Sequence, residues 1–191
     1  IALVGNEPRD GGTYKIWVSI ASATGRQGVV IKNISSDRPI WARSLAAKHD
    51  GGFWLAGGAQ AYVRIGDTTV GGTSPGFLAE LSPSGTPLRA IALPFGSGVR
   101  GLVLDSNGSL RLVGDSGQGG ELDFGNGVTL ALKQGDSYLA LLSPTGEAQS
   151  ALHLAGLQAP SIAIDQDDFI VLSGTHTGAV TLGGVEIASA D

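Results

Sequence analysis

The chain has 191 residues, among them 31 glycines and 8 prolines, with 42% hydrophobic residues and a formal net charge of −5. The glycines follow no Gly-X-Y period, which excludes a collagen helix, and the apolar content excludes a disordered chain. Cysteine is absent, which excludes disulfides and thiolate metal sites, and no apolar run is long enough for a membrane-spanning helix.

The charge is uneven, +3 over residues 1–50 and −8 over the remainder. The basic residues of the first part are dispersed, as on a solvated surface, and nucleic-acid binding needs a dense basic patch. No nucleic-acid partner is expected. The chain opens on "IALVG" without a methionine. That opening reads as mid-strand, so the chain is expected to be a piece of a longer polypeptide, and no signal peptide is legible.

In chain order, "IALVG" (1–5) is the tail of a strand pair. "VVIKNISSD" (29–37) reads as a degenerate strand and turn. "SLAAKHDGGFWLAG" (44–57) is an apolar strand, a polar turn, a second apolar strand and a glycine. "IGDTTV" (65–70) is an apolar residue, a glycine, a short gap and alternating apolar residues; "PGFLAELSPSGTPLRAIAL" (75–93) is a hairpin. The same series recurs as "GLVLDSNGSLRLVG" (101–114), "FGNGVTL" (124–130) and "DSYLALLSPTGEAQSALHL" (136–154). It begins again with "SIAIDQDDFIVLSG" (161–174) and "LGGVEI" (182–187).

The first members align without gaps at offsets of 57 and 60 residues, which places Gly5, Gly57, Gly114 and Gly174 in register. One unit is therefore 52–60 residues long and holds four strands, in the best copy 101–105, 109–114, 136–143 and 147–154. "DSNG" and "SPTG" supply the hairpin turns, with glycine in the position that needs positive φ. Four antiparallel strands in up-and-down order describe one blade of a β-propeller. Such a blade buries its faces only against neighbours, and Phe53/Leu55, Leu110/Leu112 and Ile170/Leu172 are the expected packing pairs. The fold class is thus all-β, a β-propeller region of four-stranded antiparallel blades. It divides into a partial degenerate blade (1–43), a blade (44–100), a second blade (101–160) and a half blade (161–191).

The pattern apolar-Asp-x-x-Gly-x-apolar-x-apolar-x-Gly resembles the bacterial β-propeller repeat known as the SBBP repeat. "LVLDSNGSLRLVG" carries it well; "IAIDQDDFIVLSG" has Asp168 at the turn glycine, and "LAAKHDGGFWLAG" has Lys48 at the aspartate. "DFGNGVTL…GDSYLALLSPTG" resembles the rest of that family's blade. The resemblance covers residues 44–191 and, more weakly, 1–43. It implies an extracellular or cell-surface bacterial protein, commonly without catalysis, joined to further blades of its own parent chain.

Four strings invite a chemical reading. Gly114-Asp115-Ser116-Gly117 matches the sequence around the nucleophile of chymotrypsin-like proteases. The repeat makes it one variant of a loop that follows the second strand of every copy, with His49 in a turn at the opposite strand end. His49 and Ser116 are also only 67 residues apart, too close in sequence for that family's double barrel. "GTSPG" (72–76) fits Gly-x-Ser-x-Gly, but a strand follows it where a nucleophile elbow has a helix. "DSNGS" and "DQDD" lack the Glu at position 12 of an EF-hand loop and read as turn formers. His49, His153 and His176 lack zinc spacing, so neither metal nor cofactor is expected. Trp17, Trp41 and Trp54 fit strand packing better than a sugar-stacking platform.

The loops after the second strands share one propeller face, so the ligand-face candidates are Asn6, Glu7, Asp115, Ser116, Thr175 and His176. A constant glycine followed by variable polar residues is how recognition sites are built on rigid frames. The expected function is non-enzymatic recognition or adhesion, with a protein or glycan ligand on that face. A propeller hydrolase or lyase using carboxylates at the channel mouth, with Glu7 and Asp115 the available pair, is the first alternative. A structural spacer or assembly unit is the second.

Overall fold

A computed structural model describes residues 2–8, 13–20, 33–72, 75–182 and 185–187. Among them every regular element is a strand, and every strand pairing is antiparallel. Among the described residues no helix is long and apolar enough to cross a membrane. The chain forms two compact units, Ile1–Phe95 and Gly96–Asp191.

The first unit contains β1 (Ala2–Pro8), β2 (Tyr14–Ile20), β3 (Ile34–Ser36), β4 (Ile40–Ala47), β5 (Phe53–Ala59), β6 (Val63–Ile65), β7 (Thr68–Val70), β8 (Pro75–Leu81) and β9 (Pro87–Phe95). Strands β4-β5-β8-β9 make a four-stranded meander, and β1-β2-β3-β6-β7 make a five-stranded sheet. Period-2 alternation sends Leu55, Phe77, Ala79 and Leu81 into one core with Ile16, Ile34, Val63 and Ile65 of the other sheet. Phe53 packs on the edge of that cluster.

The second unit contains β10 (Ser97–Leu104), β11 (Leu110–Ser116), β12 (Gly120–Asp123), β13 (Thr129–Leu132), β14 (Ser137–Leu142), β15 (Ala148–Ile164), β16 (Ile170–Leu182) and β17 (Val185–Ile187). Its main sheet runs β10-β11-β14-β15-β16-β17, and β12-β13 is a separate hairpin. The long β15 pairs with β14 through Leu154 and with β16 from Ala155 onward. Positive φ at Gly156 and Ala159 marks the change of partner. Ile162, Ile170 and Leu172 then pack on the cluster built from Val113, Leu139, Leu154, Leu157 and Val180. Leu110 and Leu112, both fully buried, alternate with Val113 and so occupy the opposite face.

The two meanders β4-β5-β8-β9 and β10-β11-β14-β15 have the same strand order. Two of their irregularities coincide too. A register shift lies between Ala42 and Ser44 in one and between Val99 and Gly101 in the other, the same place at an offset of 57. Another lies at Glu80/Leu81 and at Leu141/Leu142. Gly57 stands opposite Phe77, and Gly114 stands opposite Tyr138. The backbone pairing of β1 with β2 follows this register, with Gly5 opposite Trp17.

The glycine is therefore not the end of the second strand, as its sequence suggests, but a position inside it. A Cβ at Gly57 would collide with the Trp41 carbonyl and lie 2.6 Å from the Phe77 ring. At Gly114 it would collide with the Gly98 carbonyl and lie 2.5 Å from the Tyr138 hydroxyl. Each glycine is thus a seat for the ring of the next strand, a close approach that a side chain forbids. The meanders also begin four residues before the sequence suggests, at Ile40 and Ser97 rather than 44 and 101. The strand beside β1 is β2, not the 29–37 segment; of that segment, residues 29–32 lie outside the described residues and Ile34–Ser36 form β3.

Gly57→Ala and Gly114→Ala should each destabilise the protein by about 2–3 kcal/mol, because the colliding atoms include main-chain carbonyls that cannot move aside. Gly72→Ala, where an added Cβ meets nothing within 4 Å, should stay within about 0.5 kcal/mol of wild type. Urea unfolding monitored by circular dichroism measures all three.

Candidate functional site

The six residues expected on loops lie in strands: Asn6 and Glu7 in β1, Asp115 and Ser116 in β11, Thr175 and His176 in β16. The strands run on past the glycine because that glycine is a sheet position. The side chains of Asn6 and Glu7 lie outside the described residues. Asp115 pairs its Oδ2 with the Nε of Arg100, and its Oδ1 lies over Gly98, where a Cβ would come within 2.5 Å. Ser116 is 1% exposed. Its Oγ accepts from the Gly119 amide at 2.9 Å, its amide donates to the Asp136 carbonyl at 2.8 Å, and its carbonyl accepts from Gly135 at 2.7 Å. The serine of the protease-like string therefore anchors the entry and exit of the β12-β13 hairpin.

Thr175 pairs with Gln158 and His176 with Leu157 in the β15-β16 ladder, and both are exposed. With its proton on Nδ1, His176 donates to the Gly178 carbonyl at 2.8 Å. His153 is cross-strand from Tyr138 and places Nε2 3.1 Å from Asp136 Oδ2. That approach is skewed from good hydrogen-bond geometry, and the same carboxylate oxygen accepts the Lys133 amide at 2.9 Å. Trp54 is fully buried. Among the described residues no three His, Cys, Asp or Glu gather as a metal site.

Tyr138 is fully buried, and Phe124 meets its ring edge-on at a centroid separation of 5.2 Å. Its hydroxyl faces the Ser97 side chain in a contact short of good hydrogen-bond geometry. Burial drives the phenol far above its ordinary value, against a smaller opposing effect from Ser97. It stays neutral at any physiological pH.

The aspartates that suggest a cation spend their oxygens on the chain. Asp105, 6% exposed, accepts from Asn107 N at 3.0 Å and Ser109 N at 2.8 Å through Oδ1, and from Arg111 at 2.6 Å through Oδ2. Asp165 Oδ1 accepts from Asp167 N and Phe169 N, each at 2.9 Å. These are side-chain-closed turns. Asp168 takes the positive-φ position that Gly108 holds in the equivalent turn, with φ of 64° against 79°. Its Oδ1 accepts the Ser106 amide at 2.8 Å, and its Oδ2 accepts the Ser106 hydroxyl. The turn glycine is thus replaced by a residue that ties the 165–168 turn to the 105–108 turn.

The first unit holds an open cleft of about 480 Å³ that the sequence reading missed. Asn33, Ser35, Arg64, Gly66, Asp67, Thr86 and Pro87 line it. It forms because the β6-β7 hairpin pairs with β3, through Ile34–Ile65 and Ser35–Arg64, and because the Gly66 amide donates to Asn33 O at 2.9 Å. Gly66 and Asn33 both have positive φ. Arg64 Nε donates to the Gly66 carbonyl at 3.2 Å, and its exposed guanidinium lies 4.0 Å from Asp67. The legible signal was the Gly-Asp turn of "IGDTTV"; its partner strand at Asn33 has no counterpart among the described residues of the second unit, where β12-β13 stands alone.

No family model matches the chain, and no curated protein matches it. Among solved structures it is similar to the crystal structure of a protein of unknown function from Bacteroides caccae, at 14% identity and a TM-score of 0.50. The match covers 98% of this chain and 53% of that one, so the chain spans about half the length of its structural neighbour. At this identity the likeness concerns the fold alone.

Asp105→Ala should cost about 3 kcal/mol, because it leaves the Arg111 guanidinium without its buried partner. Asp165→Ala, at an exposed turn with two backbone bonds, should cost about 1 kcal/mol. Denaturant unfolding separates the two. The Ser106 hydroxyl and then the Ser106 amide hold the Asp168 carboxyl below its ordinary value. A depressed carboxyl contributes stability above about pH 4 and loses it as pH falls through the folded-state value. Ser106→Ala should therefore raise the Asp168 titration midpoint toward the ordinary carboxylate range, read by carboxyl carbon NMR.

Proposed function

We propose that the chain is a run of SBBP-type propeller blades from a secreted or surface-exposed bacterial protein, and that it recognises a glycan without catalysis. The matching order, register shifts and glycine–ring pairs of the two meanders support the repeat reading. The observation that carries the recognition reading is the polar cleft beside Arg64. Its volume falls in the range of small-ligand sites. Asn33, Ser35 and Thr86 offer amide and hydroxyl partners at the cleft wall, Arg64 offers a planar donor fork, and Pro87 offers an apolar patch. Sugar rings present that combination, hydroxyls at the rim and a C–H face. The cleft rests on paired strands, so its polar groups are held by the scaffold.

An assembly role is favoured by a different observation. Along Ile170–Thr175, β16 pairs with β15 on one side and with no strand on the other among the described residues, and Phe169 and Val171 beside it are 69% and 55% exposed. A free edge flanked by exposed apolar side chains recruits strands.

A panel of immobilised oligosaccharides screened with the whole chain tests the first reading. Saturable binding to a defined saccharide should weaken about tenfold or more on Arg64→Ala, the loss of one charge-assisted contact. Binding that ignores Arg64→Ala, or a blank panel, counts against a glycan in this cleft.

A further inference from the structure

Among the described residues, β16 carries no strand on its second edge over Ile170–Thr175. In both complete meanders the second strand is covered by a third: β8 on β5, and β14 on β11. Each third strand lays an aromatic ring on the glycine of the second, Phe77 on Gly57 and Tyr138 on Gly114, and both glycines are buried. Gly174 is the corresponding residue of β16, and it is exposed. On either side of it the β15-β16 ladder keeps the register of the complete meander, Gln158↔Thr175 and Ser161↔Ser173 matching Gly98↔Asp115 and Gly101↔Val113 at an offset of 60, although Gly174 itself has no counterpart of the Val99↔Gly114 pair in that ladder.

The residue that flanks the ring differs between copies, and the ring differs with it. Ser97 faces the Tyr138 hydroxyl. The equivalent residue in the first unit is Ile40, 57 positions earlier, fully buried in the same core cluster as Phe77. A hydroxyl faces the tyrosine, and an alkyl group shares the core cluster of the phenylalanine. At the third seat the flanking residue is Leu157, 8% exposed, whose Cδ1 lies 2.9 Å from the point where a Gly174 Cβ would sit. A tyrosine there would bury its hydroxyl against leucine, with the desolvation cost of an unpaired polar group.

We propose that the β16 edge is an acceptor for a third strand of this same repeat, paired antiparallel over Ile170–Thr175 and carrying phenylalanine over Gly174. The proposal rests on the repeat reading above. The pattern of the occupant is that of "GFLAEL" (76–81): a small residue, the ring, an apolar residue and alanine. The small residue sits where Gly76 and Ser137 sit, opposite Gly58 and Asp115, and therefore opposite Thr175. The main chain supplies affinity through the ladder, and the ring over the glycine fixes register and selects phenylalanine.

The probe is a synthetic peptide with the sequence of residues 74–85, "SPGFLAELSPSG", titrated into the whole chain with amide hydrogen exchange as readout. Binding should saturate and slow exchange at alternate residues between Ile170 and Thr175. A peptide with tyrosine in place of its phenylalanine should bind about tenfold more weakly. On Leu157→Ser, which copies the surroundings of Tyr138, the tyrosine peptide should regain that factor. Equal binding of the two peptides by the wild-type chain would overturn the selectivity. Unprotected β16 amides at saturating peptide would overturn the acceptor, as would protection that grows with protein concentration alone, the mark of β16 edges pairing between copies. The same exchange data score the repeat reading separately. The central strands β8 and β14 should be among the slowest amides, and fast exchange there would remove the templates rather than the acceptor.

Discussion

The structure depends on one close approach, an aromatic ring laid on a mid-strand glycine. Phe77 over Gly57 and Tyr138 over Gly114 bring the third strand of each meander onto the second with no Cβ between them. A slip of one residue would turn each ring to the other face of the sheet and put a side chain under the next one, so the pair fixes register for the whole sheet. Burial of Tyr138 makes the same point energetically. A phenol held neutral deep in the sheet, with Phe124 against its ring and the Ser97 side chain facing its hydroxyl, is tolerable because the ring's area removed from water and that polar neighbour together offset the cost of burying the hydroxyl.

The hairpin turns show how the backbone persists while the chemistry changes. Lys48 N, Asp105 N and Asp165 N each donate to the carbonyl four residues on, at 2.8, 3.0 and 3.1 Å. In two of the three turns an aspartate also closes the loop with its side chain. In the first, Lys48 occupies that place, and the Gly52 amide donates the closing bond to Asp50 Oδ1 at 2.9 Å. The Lys48 ammonium then reaches Glu80 at 2.6 Å and Asp50 at 2.9 Å, which raises its pKa, with Glu80 the larger cause. A cation replaces an anion without disturbing the turn, because the third strand supplies a carboxylate where Leu141 stands in the other copy.

Much of this was legible in the sequence, and the failures have a common cause. The all-β class, the antiparallel hairpins and their turns were readable because alternation and turn glycines act locally. The strand ends were not. Gly57, Gly114 and Gly174 read as terminators, since an isolated glycine after an apolar run normally ends it. Only the ring on the next strand reveals them as interior positions, and that contact is non-local. The same misreading moved Asp115 and Ser116 from the end of a strand to a loop tip, where Ser116 looked available; it is in fact buried and bonded. It also hid the partner of β1, because the backbone pairing of Gly5 with Trp17 places the glycine inside its strand.

The insertion between second and third strands is where the two units part. In the first, β6-β7 joins β3 and becomes part of a five-stranded sheet, and the polar cleft is a consequence of that pairing. In the second, β12-β13 stands as its own hairpin, tied down by the Ser116 hydroxyl and by Phe124 on Tyr138. The difference costs the meanders nothing, because both hairpins leave and return at strand ends that the glycine–ring pair has already fixed. A frame whose register is set from within can vary its insertions freely. Chemistry particular to one unit is therefore to be sought in the insertion, at Arg64 and its neighbours, rather than beside Gly114, where Asp115 and Ser116 are occupied in holding the chain.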